Sequence, residues 1–228
     1  MIDNFVMLGK TVPEPTSERL DQYVCSAGWS WDLGLIRLYP LGLQATPRRW
    51  SVNRCELERH LPNKDSRIES WRPTSEFESI RTLPRDSRGT TLRHHLVSGM
   101  VEANERRLSL AAVRPVEAEF YLADGVADDE PSYQLYSHGE ALKARERFAY
   151  APRVRFLTED GRKHDLQMRE WGIWELMRKH HEQLDAMTDN ERERYVGGAL
   201  RLTDQTLFLI GNYANHRSSW LVIASLNV

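Results

Sequence analysis

The stretch from Gln205 to Val228 constrains the fold most. Leu207-Phe208-Leu209-Ile210 and Trp220-Leu221-Val222-Ile223 are continuous apolar runs of strand length, rich in branched and aromatic side chains. A strand that is apolar on both sides of its pleat must be covered on both faces, so these runs predict a central hairpin of the core. Gly211 to Ser219 between them is polar and turn-prone, and a polar loop on a rigid scaffold is where binding groups are commonly displayed.

The remaining strand signals are short and closely spaced. Phe5-Val6-Met7-Leu8 reads as a first strand, and a Pro-rich loop follows through Pro13 and Pro15. Leu20 to Ala27 reads as strand or short helix, Trp29 to Gly34 as a turn, and Leu35 to Tyr39 as a strand stopped by Pro40. Trp50 to Leu57 puts Val52, Arg54 and Glu56 on one face and Cys55 and Leu57 on the other. Such spacing suggests a small barrel or sandwich.

Ser87 to Asn104 carries Leu92, Leu96 and Met100 at helical spacing, and Leu108–Val113 and Val116–Leu122 look extended around Pro115. Phe148–Leu157 and Lys163–Met168 pair across Glu159-Asp160-Gly161-Arg162 as a hairpin. Trp171, Trp174, Met177, His181 and Leu184 mark one face of a helix. Thr188-Asp189-Asn190-Glu191 is a capping box that starts a second one. The expected class is α+β and β-rich: small barrel sheets, which the resemblance given below makes OB-like, a C-terminal helical pair and a closing β-hairpin. The expected division is a β-rich region over 1–85 and an α+β region over 86–228, packed together as one unit.

Composition narrows the function. With 28% charged and 40% hydrophobic residues the chain is globular, and its formal net charge of -2 restricts any nucleic-acid contact to a local patch. Of the 31 basic residues only five are lysine, which leaves 26 arginines. Arginine suits bidentate phosphate contacts and stacking, although arginines scattered through a chain also reflect codon usage. Cys25 and Cys55 lack CxxC spacing, which fits reduced thiols rather than a zinc site. Neither a secretory signal nor a span-length apolar run is present, so the expected location is cytoplasmic.

Candidate chemistry falls in four places. Residues 47 to 73 hold Arg48, Arg49, Arg54, Arg59, Lys64, Arg67 and Arg72 against four acids, with Trp50 and Trp71 among them. Cations for phosphates and flat faces for bases are what a single-strand groove needs; a solvated face over two core tryptophans gives the same pattern. Asn212, Asn215, His216 and Arg217 at the hairpin tip can read base edges or phosphates, or can serve the turn itself.

His164-Asp165 offers a general base or a metal pair, but adjacent strand residues point to opposite faces. His181 with Asp185 is the one i,i+4 histidine–carboxylate pair in Arg178-Lys179-His180-His181-Glu182, and a core-edge histidine explains it as well. Between Val116 and Glu130 lie six acids and no base, read as a solubilising stretch or an acidic mimic. P-loop, GxGxxG and GxSxG motifs are missing, which argues against the motif-bearing nucleotide hydrolases and dehydrogenases. No metal or cofactor is expected.

Several motifs line up with a known group. Lys10, Pro15-Thr16-Ser17, Cys25-Ser26-Ala27-Gly28 and Ile36-Arg37-Leu38-Tyr39-Pro40 resemble the opening of uncharacterised bacterial proteins with a C-x-AG…W-I-R-L-Y-P start. Asp65 to Ser70, Ser109 to Pro115, His164-Asp165…Trp171 and Gly211-Asn212…His216 look like later signatures of the same group. The opening is also similar to proteins with dual OB-type domains, associated with bacterial mobile elements and conflict systems. That resemblance implies β-barrel modules and a non-catalytic, nucleic-acid-related role as sensor or accessory. Relatives carry Glu after the tryptophan at the helix start, where this chain has Gly172.

The leading expectation is therefore a nucleic-acid-binding accessory protein, with Arg37, Tyr39, Arg48, Arg49 and Trp50 making backbone and stacking contacts and Asn212, His216 and Arg217 completing the face. A second is a nuclease or base-processing hydrolase using His164, Asp165, Glu175 and His216. A third is a structural subunit of a larger assembly with a protein partner.

Overall fold

The structure, a computed structural model, describes residues 1–12, 23–61, 65–124, 135–137, 140–142, 150–213 and 216–228. Pro13, Pro15, Lys64, the acids at 128–130 and Asn215 lie outside these residues. Strands β1 (Ile2–Lys10), β2 (Tyr23–Ser30) and β3 (Gly34–Gly42) form an antiparallel meander. β4 (Ser51–Cys55) pairs with the other edge of β1, and after the single residue Glu56 the chain continues as β5 (Leu57–Arg59). β5 pairs with β6 (Ser70–Pro73), and β6 runs parallel to β3. Because β4 and β5 are nearly one bent strand, the order β1-β2-β3-β6-β5/β4-β1 curls back on itself as a small barrel. β7 (Glu78–Thr82) is added on β4. All five of its residues are exposed, and Glu78 and Arg81 discourage further pairing at that edge.

The inside of the curl is a compact apolar plug. Phe5, Met7, Ile36, Leu38, Leu41 and Cys55 are buried there, ringed by Ile2, Leu57, Trp71 and Phe77. Gly28 on β2 faces the same space: a Cβ there would collide with the Phe5 ring and lie 2.6 Å from the Val6 carbonyl oxygen. Burial pushes the Cys55 thiol up to about 12, which keeps it protonated and unreactive.

Helices α1 (Arg85–Leu92) and α2 (Met100–Glu105) lead to β8 (Leu110–Val113) and β9 (Val116–Asp124). A short hairpin, β10 (Leu135–Ser137) and β11 (Glu140–Leu142), precedes β12 (Tyr150–Leu157) and β13 (Lys163–Gln167). Helices α3 (Trp171–Lys179), α4 (His181–Asp185) and α5 (Asp189–Leu200) follow, and β14 (Thr206–Asn212) and β15 (Trp220–Asn227) close the fold.

The closing hairpin is central, as its apolar runs demand. β14 lies between β15 and β8, and every residue of β14 is buried. On one side Leu207, Leu209, Leu221 and Ile223 meet the outer face of the barrel at Val6, Leu8, Ala27, Trp29, Leu35 and Val52. On the other, Phe208, Ile210 and Val222 meet Val154, Phe156 and Met168 with helix residues Ile173, Met177, Leu184, Val196 and Leu200. The chain is thus a β-rich α+β fold whose middle sheet has a barrel on one face and a sheet with helices on the other.

Residues 168–170 tie the layers together. Met168 bridges to Val222, the Arg169 amide donates to the Val222 carbonyl (2.8 Å), and Arg169 accepts from the Val12 amide (2.8 Å).

Local expectations met tertiary constraints in three places. β3 runs on through Pro40 to Gly42, with Val24 opposite Leu41. The helix expected over 87–104 is interrupted, because Leu96 and Val97 turn extended to pair with Ala112; the Val97 amide donates to its carbonyl at 2.9 Å. The tryptophan-rich helix breaks at His180 (φ -115°, ψ 21°), giving α3 and α4. The capping box forms as expected: Glu191 accepts from the Thr188 amide (2.9 Å) and hydroxyl (2.7 Å).

Candidate nucleic-acid interface

The tip of the closing hairpin is locked from inside by Asn212. Its side-chain amide donates to the carbonyls of Leu108 (3.2 Å) and Arg217 (2.9 Å), which folds the tip back on itself. Arg67 donates to the Asn212 carbonyl (3.2 Å) and Arg217 donates to the Ser66 hydroxyl (2.7 Å), so the loop before β6 docks on the tip. Glu69 in that loop is buried and accepts from the Ser109 amide (2.9 Å) and hydroxyl (2.8 Å). Arg37 crosses beneath, donating to the Ser109 carbonyl (2.6 Å) and the Cys25 sulfur (3.1 Å).

Asp65 sets the shape of the loop. It accepts from the Arg67 guanidinium (2.8 and 2.6 Å), the Arg67 amide (3.0 Å) and the Ser70 hydroxyl. Burial works against its charge, but the hydrogen bonds from Arg67 and Ser70 outweigh it and pull the carboxyl down to about 2, against an ordinary 3.8. A carboxyl depressed on folding contributes stability that is full above pH 3.8 and is lost as pH falls through about 2. Asp65→Asn is therefore expected to destabilise the protein by about 2 kcal/mol at pH 7 and by much less at pH 2.5. Urea titrations at the two pH values check this; an equal loss at both would mean the carboxylate charge is not what holds the loop.

The residues expected from the sequence to contact nucleic acid divide. Arg37, Trp50 and Asn212 are buried and bonded within the protein, so they hold the surface up rather than face a ligand. Trp50 takes φ +65°, its amide donates to Met7 (2.7 Å), and the Arg88 guanidinium lies 4.7 Å above its ring. Tyr39 is half-buried, with its carbonyl 2.6 Å from His60 Nε2. Arg49 pairs with the buried Glu170 (2.5 Å) and donates to the Ser225 carbonyl (3.1 Å). Arg48 is exposed, and its guanidinium has no partner among the described residues.

His216 and Arg217 are exposed at the tip. Phe208 faces Ser225 and Asn212 faces Trp220 in the hairpin register. Four residues of strand, roughly 13 Å, therefore separate the Arg49 contact from the tip, and the expected set does not form one face.

What the fold does bring together is one end of the molecule. The β2–β3 turn presents Trp31 (50% exposed) and Leu33 (37%). Trp29 beneath donates from its indole to His95 Nε2 at 2.7 Å, and the His95 ring lies over Gly34. An imidazole nitrogen that accepts cannot carry a proton, and burial, then His94 and Arg106, lower the affinity of His95 for one. Arg93, His94 and Arg107 are exposed, and neither arginine makes an ion pair among the described residues.

Leu108, next to Arg107, is the residue whose carbonyl holds Asn212. The β2–β3 turn thus meets residues 93–95 through Trp29 and His95, Arg106 lies close enough to act on His95, and the hairpin tip meets Leu108 and the 65–69 loop through Asn212 and Arg67. Exposed Asp32 and Glu105 share this end, with Asp32 held by the Asn4 side-chain amide (2.7 Å). Trp31, Arg93 and Arg107 carry no pattern in the sequence that marks them as exposed; Trp31 is exposed because it lies in the turn after β2 ends at Ser30.

The residues of the hydrolase alternative do not converge. Asp165 accepts from the Tyr121 hydroxyl (2.6 Å) and the Arg153 Nε (2.8 Å); burial opposes its charge, and these bonds lower its pKa. His164 points the other way, 2.9 Å from the Thr158 hydroxyl and packed on Phe156. Both border an open cleft of about 400 Å³ with Glu117 and Glu119. Glu175 is paired with Arg178 (2.8 Å) and Lys179 (3.2 Å), and His216 shares no partner with any of them. Among the described residues no three of His, Cys, Asp or Glu gather as metal ligands, and no helix is long and apolar enough to cross a membrane.

A family model for a domain of unknown function (DUF8758) matches residues 2–99, which take in the whole barrel, β7, α1 and the strand-like Leu96–Val97. No curated protein and no solved structure matches the chain.

Proposed function

We propose that this protein is a non-catalytic nucleic-acid-binding accessory or sensor, acting in the bacterial cytoplasm in a defence or mobile-element setting. The observation that carries the reading is that exposed Trp31, Arg93, Arg107 and Arg217 stand on segments linked in a chain of contacts, Trp29 to His95 and Leu108 to Asn212. The curled sheet, with its one parallel pair, supports reading this part of the chain as an OB-like module. In such modules nucleic acid lies on the face of strands 2 and 3 and on the loops that flank it. Here the outer side of β2 and β3 is covered by the middle sheet, so the loops at the end of the barrel are what remains for a ligand.

The test is fluorescence anisotropy of labelled single- and double-stranded DNA and RNA, at 50 and 150 mM salt. Binding is expected to weaken steeply with salt, and an Arg107→Ala/Arg217→Ala pair to flatten the log–log slope by about 1.5 while lowering affinity for all sequences alike. No binding to any of the four at low salt removes the proposal, and cleavage of any of them would favour a hydrolase.

A further inference from the structure

We infer that Trp31 is a base-stacking platform, and that the end face takes single-stranded rather than double-stranded nucleic acid. The inference deepens the proposed function and rests on it. Trp31 stands at the apex of a three-residue turn between Ser30 and Gly34, which takes φ +73°. Half of the large Trp31 ring stays in water although its other half packs on Trp29.

The turn that carries it is rigid. The Ser30 hydroxyl donates to Asn4 and accepts from the Asp32 amide (3.2 Å), Asn4 donates to Asp32 (2.7 Å), and Trp29 supports Trp31 edge-on at 4.2 Å and 65°. Trp29 is itself fixed by His95. A stacking side chain held in place by its neighbours loses little freedom on binding.

The surroundings complete the chemistry. Arg93, two residues from the His95 that holds Trp29, offers an exposed guanidinium for phosphates, and Leu33 in the same turn extends the apolar footing. A flat ring flanked by cations takes an unpaired base of any identity, because every base has a π-face. A duplex keeps its bases stacked inside and offers the ring nothing except at its ends. The acids at Asp32 and Glu105 keep the cationic excess small, so affinity depends on the stack as well as on phosphates.

The experiment compares the full chain with Trp31→Ala and Trp31→Phe, by anisotropy on labelled oligo-dT, a strand of the same length made of abasic sites, and a duplex. Wild type is expected to prefer oligo-dT over both other probes. Trp31→Ala should lose about ten-fold or more on oligo-dT with little change on the duplex, and Trp31→Phe should keep most of the affinity. Melting curves are recorded alongside so that binding is compared well below the transition of each variant, because Trp31→Ala also removes the contact with Trp29.

Equal binding of oligo-dT and the abasic strand, tighter binding of the duplex, or an unaltered Trp31→Ala would overturn the stacking inference while leaving nucleic-acid binding standing. Silence of wild type on all three probes would instead overturn the function reading itself, and this inference with it.

Discussion

Phe5→Ala is expected to cost about 3–5 kcal/mol of stability, the largest effect of any single truncation in the barrel. Phe5 is wholly buried at the centre of the curled sheet, and no neighbouring element is free to slide into the space it would leave. At roughly 2–4 °C per kcal/mol for a chain of this size, the melting temperature should fall by about 6–20 °C. The partner of Phe5 is an absence of side chain: Gly28 on β2 leaves the room that the ring fills. Gly28→Ala alone should cost about 1–3 kcal/mol by overpacking. Combined with Phe5→Leu it should cost less than the sum of the two single changes, with a coupling of about 1 kcal/mol. Chemical denaturation of the four proteins in that cycle measures the coupling; strict additivity would show that the two residues do not compete for one space.

Arg37→Ala is expected to lose about 2–4 kcal/mol, whereas Arg217→Ala should stay within about 0.5 kcal/mol of wild type. The two arginines meet the same region of the fold from opposite sides. Arg37 is 3% exposed and spans from β3 to the Ser109 carbonyl and the Cys25 sulfur, so its removal leaves both a void and weakened acceptors. Arg217 is exposed, its side chain donates to the Ser66 hydroxyl, and its contact with Asn212 is made by a backbone carbonyl that alanine keeps. Affinity for nucleic acid should show the reverse order once both variants are measured well below their melting temperatures. If Arg217→Ala were the destabilised variant, the inside-out assignment of these residues would be wrong.

That inversion shows what the sequence could and could not carry. The apolar runs at 207–210 and 220–223 admit one reading, burial on both faces, and they lie where that reading puts them. Val52, Cys55 and Leu57 sort onto the expected faces by strand alternation, with Val52 outside the barrel and the other two within it. The capping box is a local device and needs no tertiary partner. Arg37 differs, since an arginine in an apolar strand is indistinguishable from a solvent-facing one until its acceptor, 72 residues away, is known. Trp50 and Asn212 differ in the same way: their type and spacing suit ligand contact, while in the fold Arg88 lies over the one and the Leu108 carbonyl holds the other. The break between α1 and α2 was hidden because Leu92, Leu96 and Met100 keep helical spacing while Leu96 and Val97 are drawn to the edge of β8.

The place of the closing hairpin also governs how the molecule comes into being. The barrel strands are all made by residue 73, yet their outer apolar side, at Val6, Leu8, Trp29, Leu35 and Val52, is covered by strands that begin at Thr206. At about 5–20 residues per second, a ribosome needs roughly 7–27 s to reach the covering strands. Through that interval a nascent chain has only Leu83, Leu92 and Leu110 to set against that side, so much of it stays wet until β14 and β15 arrive.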